Sequence, residues 1–229
     1  MLASGSLDSQ ILLWEVYGEN KNYLLQGHKD GVTQICWPVE DRLYSSSADK
    51  TVAIWDTNRG QRVRKYAEHT GIINCLSVAS ESPNVFVSGG DDKSVVVYDS
   101  RSKHAVHTLP HEYQILSTAI SSDGRMAYSA GIDGVIRRWD LRRDEPEVSM
   151  SLQGHRDPIT GICLSPDGNF LLSNSMDNLL GQWDLKPFFE GQTRCIRTYQ
   201  GFKHGAEKCL LRCSWSYDQT MVACGSADR

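Results

Sequence analysis

The sequence predicts an all-β fold, a radial array of four-stranded blades, from three landmarks that keep register along 229 residues. The first is an aromatic–acidic dipeptide. It occurs as Trp14-Glu15, Trp55-Asp56, Tyr98-Asp99, Trp139-Asp140 and Trp183-Asp184, with successive aromatics 41, 43, 41 and 44 residues apart. The second is an aspartate six positions before each aromatic, at Asp8, Asp49, Asp92, Asp133 and Asp177, with a further one at Asp228. The third is a histidine 27 to 29 residues before the aromatic of each complete unit, at His28, His69, His111 and His155; His204 opens another unit. Self-similarity at a fixed period of tens of residues marks a chain built from repeated supersecondary units.

Each unit reads as four short strands separated by turns. After His155 the apolar runs are Ile159–Leu164, Phe170–Asn174, Leu179–Asp184 and Cys195–Tyr199, with turns at Ser165-Pro166-Asp167-Gly168 and Met176-Asp177-Asn178. The unit after His28 has its turn at Ala48-Asp49-Lys50 and its third strand at Val52–Trp55. Short strands with no helical periodicity predict a radial array rather than a sandwich. Period and landmarks resemble the WD40-repeat family, which implies a β-propeller. The expected division is a partial blade at 1–25, full units at 26–66, 67–109, 110–152 and 153–199, and a partial blade at 200–229. That is about five to six blades of an expected seven, cut within a repeat at both ends. Uncovered sheet edges of this kind predict poor solubility.

In an up-and-down blade, the loop entering the first strand and the turn between the second and third lie on one face. The histidine and the turn aspartate are therefore expected to be neighbours. Serines of the second strand (Ser45, Ser46, Ser47; Ser173, Ser175) and the third-strand aromatic should complete a mutually hydrogen-bonded group. The structural residues are thus His28, Asp49 and Trp55; His69, Asp92 and Tyr98; His111, Asp133 and Trp139; and His155, Asp177 and Trp183. His28, Ser46 and Asp49 also have the chemistry of a hydrolase triad. Catalysis needs one such set, whereas this one recurs, and no Gly-x-Ser-x-Gly elbow exposes a nucleophile. No catalytic residue, cofactor, metal or small-molecule substrate is predicted.

Composition narrows the function further. The 24 basic and 28 acidic side chains leave a net charge of −4, unlike a broad nucleic-acid-binding surface. The densest basic cluster, Arg137, Arg138, Arg142 and Arg143, is expected to pair with carboxylates such as Asp144 and Glu145. Gly89-Gly90-Asp91-Asp92 is the end of a strand and its turn, since no Lys-Ser/Thr and helix follow it. No stretch is long and apolar enough to span a membrane. Seven cysteines lack a disulfide framework; Cys36, Cys75 and Cys163 fall in apolar strands, and Cys209 and Cys213 have no second pair to complete a zinc site. An intracellular, reducing setting is expected.

Several segments go beyond a generic repeat. These are Ile11–Tyr17 with Asn22-Tyr23, Ser47–Asp56, Leu171–Asn178, and Glu207–Ser216 running into Gly225–Arg229, together with insertions at Pro187–Gln192 and Gly201–Lys208. They resemble the WD-repeat subunits of the spliceosomal U-five small nuclear ribonucleoprotein. Departures from the repeat pattern are Tyr98 for Trp, and Glu68-His69 and Pro110-His111 for Gly-His. The resemblance implies a nuclear, non-catalytic splicing scaffold that docks on a large spliceosomal scaffold protein and neighbouring subunits, with RNA contact at most indirect. Candidate contacts are Leu7, Ile132 and Met176 beside the upper turns, and Phe188 and Phe189 in the insertion on the opposite face. The alternative reading is a substrate receptor of a cullin-type ubiquitin ligase. It rests on Trp139-Asp140-Leu141-Arg142, hence on Arg142, and on the weaker copy Tyr98-Asp99-Ser100-Arg101.

Overall fold

Six antiparallel sheets follow one another along the chain in the computed structural model, which describes residues 1–16, 22–188, 191, 193–205 and 209–228. Blade I holds β1 (Leu2–Gly5), β2 (Ile11–Trp14) and β3 (Asn22–Leu25). Blade II holds β4 (Val32–Val39), β5 (Arg42–Ser47), β6 (Val52–Asp56) and β7 (Gln61–Tyr66). Blade III is β8 (Ile73–Val78), β9 (Val85–Gly90), β10 (Ser94–Asp99) and β11 (His107–Pro110). Blade IV is β12 (Ile115–Ile120), β13 (Met126–Gly131), β14 (Ile136–Asp140) and β15 (Val148–Leu152). Blade V is β16 (Ile159–Leu164), β17 (Phe170–Ser175), β18 (Leu180–Asp184) and β19 (Cys195–Tyr199), and blade VI holds β20 (Cys213–Trp215) and β21 (Val222–Cys224). Strands pair in sequence order within every sheet. No helix among the described residues is long and apolar enough to cross a membrane.

Strand composition follows position. The third strand of a blade is covered on both faces, so β10 is almost continuously apolar and buried from Val95 to Tyr98. The outermost β7, Gln-Arg-Val-Arg-Lys-Tyr, is largely exposed and carries three cations, which discourages pairing with another sheet edge. The core is likewise distributed, with one apolar layer between each pair of neighbouring blades. Ile11, Leu13 and Leu25 pack on Val32, Leu43 and Trp55 between blades I and II. Val87, Val97 and Leu109 meet Ile115, Ala127 and Trp139 between III and IV. Between II and III lies an aromatic cluster, with Tyr44 and Phe86 centroids 5.1 Å apart and Phe86 stacked on Tyr98 at 4.8 Å. Each fully buried side chain of this size contributes about 1.5–3 kcal/mol. Stability therefore builds from neighbour to neighbour, as repeat arrays do.

The last pair of strands is the shortest described, Cys213–Trp215 and Val222–Cys224. Side chains of blade V compete for the backbone there. The Leu211 carbonyl accepts from the Thr160 hydroxyl at 3.0 Å and the Asn174 amide at 3.3 Å instead of joining a ladder.

Glycine matters where the second strand meets the loop entering the first. In blades II and V this position is Ser47 or Ser175, whose hydroxyl donates to the Asp30 or Asp157 carbonyl at 2.9 and 3.0 Å. In blades III and IV it is Gly90 or Gly131, and the loop closes directly onto the strand. A Cβ on Gly131 would lie 2.0 Å from the Gln114 carbonyl oxygen. Gly131→Ala is expected to force this loop outward at a cost of about 1–3 kcal/mol, read as a lower denaturant midpoint with unchanged slope. An unaltered midpoint would refute the close approach.

Candidate functional site

The repeated landmarks assemble into a hydrogen-bond relay at the upper end of each complete blade. In blade II the Trp55 indole N–H donates to Ser45 Oγ at 2.8 Å, Ser45 and His28 Nε2 lie 2.7 Å apart, and His28 Nδ1 lies 3.2 Å from Asp49 Oδ2. Blade V repeats the set through Trp183, Ser173, His155 and Asp177 at 2.7, 2.6 and 2.9 Å. The protonation that satisfies every member places hydrogen on Nδ1, so the indole donates to the serine, the serine to Nε2, and Nδ1–H to the carboxylate. The serine stands ten residues before the aromatic in each blade, and Ser4 with Trp14 forms the same bond at 2.8 Å in blade I. The spacing was available in the sequence, but the runs of adjacent serines hid it. Ser46, the candidate triad serine, faces the other side of β5, where it meets Thr33 Oγ1 at 2.9 Å. Successive side chains of a strand point to opposite faces, so Ser45 is the residue that reaches His28.

The turn aspartate has two tasks. One oxygen of Asp49 accepts from the Thr51 N–H at 3.1 Å and closes its own turn. The other accepts from His28 and from the Lys29 N–H at 2.9 Å, tying the turn to the loop entering the blade. The following residue adopts a left-handed conformation at every such turn, with φ of 69° at Ser9, 68° at Lys50, 62° at Lys93, 68° at Gly134 and 62° at Asn178. Burial would raise the Asp49 carboxyl, but the bonds from Thr51, Lys29 and His28 outweigh it and hold the group below its ordinary value. Burial lowers the His28 imidazole against the pull of Asp49, keeping it neutral near pH 7.

Two blades depart from this pattern. In blade III, His69 keeps Asp92 and Ser88 at 2.7 Å each, but the Tyr98 hydroxyl lies 3.4 Å from Ser88, a weaker link than an indole makes. In blade IV, His111 and Asp133, expected as neighbours, do not bond. His111 Nδ1 donates to the Leu109 carbonyl at 3.1 Å, while Arg137 takes Asp133 at 2.5 Å. The cause is local: Arg137 stands two residues before Trp139, where the other blades have Ala53, Val96 and Gly181. His111 still meets Ser129 at 2.8 Å, and Trp139 donates to Ser129 at 2.9 Å. In the opening of blade VI, His204 Nε2 turns to the Asn174 amide oxygen at 3.3 Å.

Chemically, the array holds a Ser–His–Asp geometry yet offers no nucleophile. Ser45, Ser88 and Ser173 are 0% exposed, and in two of these three blades the serine oxygen is already occupied by an indole N–H. The arginine cluster is also engaged, though with partners other than those expected. Arg142 binds Asp140 at 2.5 Å, Arg143 binds Glu147 at 3.0 Å, and Arg138 donates to Ser149 at 3.0 Å. The acidic residue before each lower turn accepts the N–H two positions on, from Asn58, Arg101, Arg142 and Lys186. Trp-Asp-x-Arg is therefore one form of a turn common to four blades. Of the candidate contacts, Leu7 is 87% and Phe188 95% exposed and Ile132 is 41%, whereas Met176 is half-buried. Phe189 lies outside the described residues.

Four blades knit by this relay define a WD-repeat propeller, and the chain belongs to the WD domain, G-beta repeat family, whose pattern matches residues 19–56, 60–99, 103–140 and 146–184. The repeat is offset from the sheets: residues 19–56 contain β3 of blade I followed by β4 to β6 of blade II, so each repeat straddles two blades. Over 230 aligned residues covering all of this chain, it is 42% identical to the U5 small nuclear ribonucleoprotein 40 kDa proteins of Dictyostelium discoideum and Homo sapiens. It is 44% identical over 229 residues, 99% of the chain, to the pre-mRNA-splicing factor cwf17 of Schizosaccharomyces pombe. The chain spans 64% to 66% of the length of these relatives.

Asp49→Ala is expected to cost about 2–4 kcal/mol, because it strips a buried imidazole N–H and a backbone N–H of their acceptor. Asp133→Ala, which releases Arg137 but leaves His111 paired, should cost about 1 kcal/mol or less. Chemical denaturation of the two variants side by side reads this difference; equal losses would contradict the rewiring of blade IV.

Proposed function

We propose that this chain is a non-catalytic scaffold of the pre-mRNA splicing machinery, acting in the nucleus as part of a small nuclear ribonucleoprotein. The observation that carries this reading is identity of 42% to 44% across essentially the whole chain, inserted segments included, with proteins named for the U5 particle and for splicing. The architecture supports it physically. Rigid blades hold loops at fixed positions, and exposed apolar tips such as Leu7 and Phe188 suit anchoring in a partner's pocket. Docking on the large spliceosomal scaffold protein and neighbouring subunits follows from the same reading. Engagement of Arg137, Arg138, Arg142 and Arg143 within the fold favours protein partners over direct RNA contact.

One observation favours a second role. Arg101 and Arg142 grip Asp99 and Asp140 in the same two-point geometry at corresponding turns of adjacent blades, presenting a paired basic element such as a cullin adaptor would read. Affinity purification of the full-length protein separates the two. Spliceosomal subunits are the expected catch; a cullin adaptor without them would overturn the splicing role. Phe188→Asp should reduce recovery of those subunits about tenfold if the phenyl ring is an anchor, and unchanged recovery would remove Phe188 from the interface.

A further inference from the structure

The segment Glu207–Ser216, distinct from an ordinary repeat in its sequence, carries a residue that the relay does not use. Arg212 lies immediately before β20, four positions ahead of the turn residue Ser216. At the corresponding place, four positions before the turn serines Ser121 and Ser165, blades IV and V have Ser117 and Gly161. Those residues are small, whereas Arg212 is long enough to leave its own blade. Its Nη1 donates to the Leu116 carbonyl at 3.1 Å, the Ser117 hydroxyl at 3.0 Å and the Thr160 carbonyl at 3.1 Å, and Nη2 to the Asn74 carbonyl at 2.8 Å. These acceptors belong to the inner strands of blades III, IV and V, up to 138 residues away in sequence.

The surroundings are arranged for this reach. Gly161 lets the backbone of blade VI come close, since a Cβ there would lie 2.8 Å from the Leu211 oxygen and 3.1 Å from Arg212 Cα. Ser117 Oγ also accepts the Ile162 N–H at 3.0 Å, so the contact with Arg212 extends a bond that already joins blades IV and V. The guanidinium borders two cavities among the inner strands. One, of about 450 Å³, is lined by residues such as Gln34, Ser77, Thr118 and Ile162; the other, of about 270 Å³, lies beside Gly5, Val32 and Thr33. Its charge is felt by the thiols of Cys36 and Cys75, on the inner strands of blades II and III. No carboxylate among the described residues pairs with it; its partners are carbonyls and a hydroxyl spread over three blades. A planar fork of donors suits this task, and a point charge such as lysine does not.

The geometry points to Arg212 as a strap across the inner strands, one that stands between the two cavities and makes blades III to VI open together rather than blade by blade. Without it, the described contacts of blade VI with the rest of the array would be those with blade V, and the blades would open as a chain of nearest neighbours.

Native-state hydrogen exchange on the whole chain tests this. In Arg212→Met, amides of β20 and β21 and also those of β8 and β12 are expected to exchange about tenfold faster or more, as loss of charge-assisted bonds predicts. The outer strand β7 of blade II should be unchanged. Arg212→Lys keeps the charge but not the fork, and should share the effect at β8. If the methionine variant does not fold, the lysine variant carries the test alone. Acceleration confined to β20 and β21, or wild-type exchange at β8 in the lysine variant, would overturn the strap.

Discussion

One carboxylate with two assignments underlies blades II, III and V. The turn aspartate spends one oxygen on the turn that reverses the second strand into the third, and the other on the loop that begins the blade. At Asp49 the acceptances come from Thr51 on one side and from His28 and Lys29 on the other. Neither segment is regular structure, and loops of this kind must otherwise find partners for their polar groups in water. The relay behind it extends the same constraint inward, through imidazole and hydroxyl to an indole packed between two sheets. The upper surface is therefore fixed from within, which is what a docking platform requires: its loops do not have to be ordered when a partner arrives.

Blade-to-blade differences are as informative as the repetition. Tyr98 cannot reach the serine as an indole does, and blade III compensates with aromatic packing of Tyr44, Phe86, Tyr66 and Tyr98 against blade II. In blade IV an added cation draws the aspartate away, and the histidine settles on a carbonyl. Both solutions leave the histidine ring with a partner on each nitrogen, so the fold tolerates exchange of individual members.

Much of this could be read from the chain. The aromatic, aspartate and histidine landmarks located every complete blade, because each marks a fixed point of one supersecondary unit, and Ile159–Leu164 and Cys195–Tyr199 are the observed strands. What escaped reading involved partners distant in sequence or a choice among adjacent residues. Ser45 rather than Ser46 is chosen by strand alternation, and the bulge between Val32 and Gln34 complicates the count. The loss of Asp133 to Arg137 had a signal, a long cation where the other blades are small. The reach of Arg212 had none, since its acceptors are backbone carbonyls, which every residue possesses. The cation cluster of blade IV showed its acidic neighbourhood correctly but its partners incorrectly: the arginines bind carboxylates two or four positions away, at Asp133, Asp140 and Glu147, rather than Asp144 and Glu145.

The most direct measurement of the relay is a long-range ¹H–¹⁵N spectrum of the imidazoles of His28, His69, His111 and His155. The bonding pattern places hydrogen on Nδ1 in all four, facing a carboxylate at three of them and, at His111, a carbonyl, which can only accept. Four Nδ1–H signals that persist on solvent exchange are the predicted result. Hydrogen on Nε2, or rapid exchange between tautomers, would contradict the view that these residues serve as fixed internal braces.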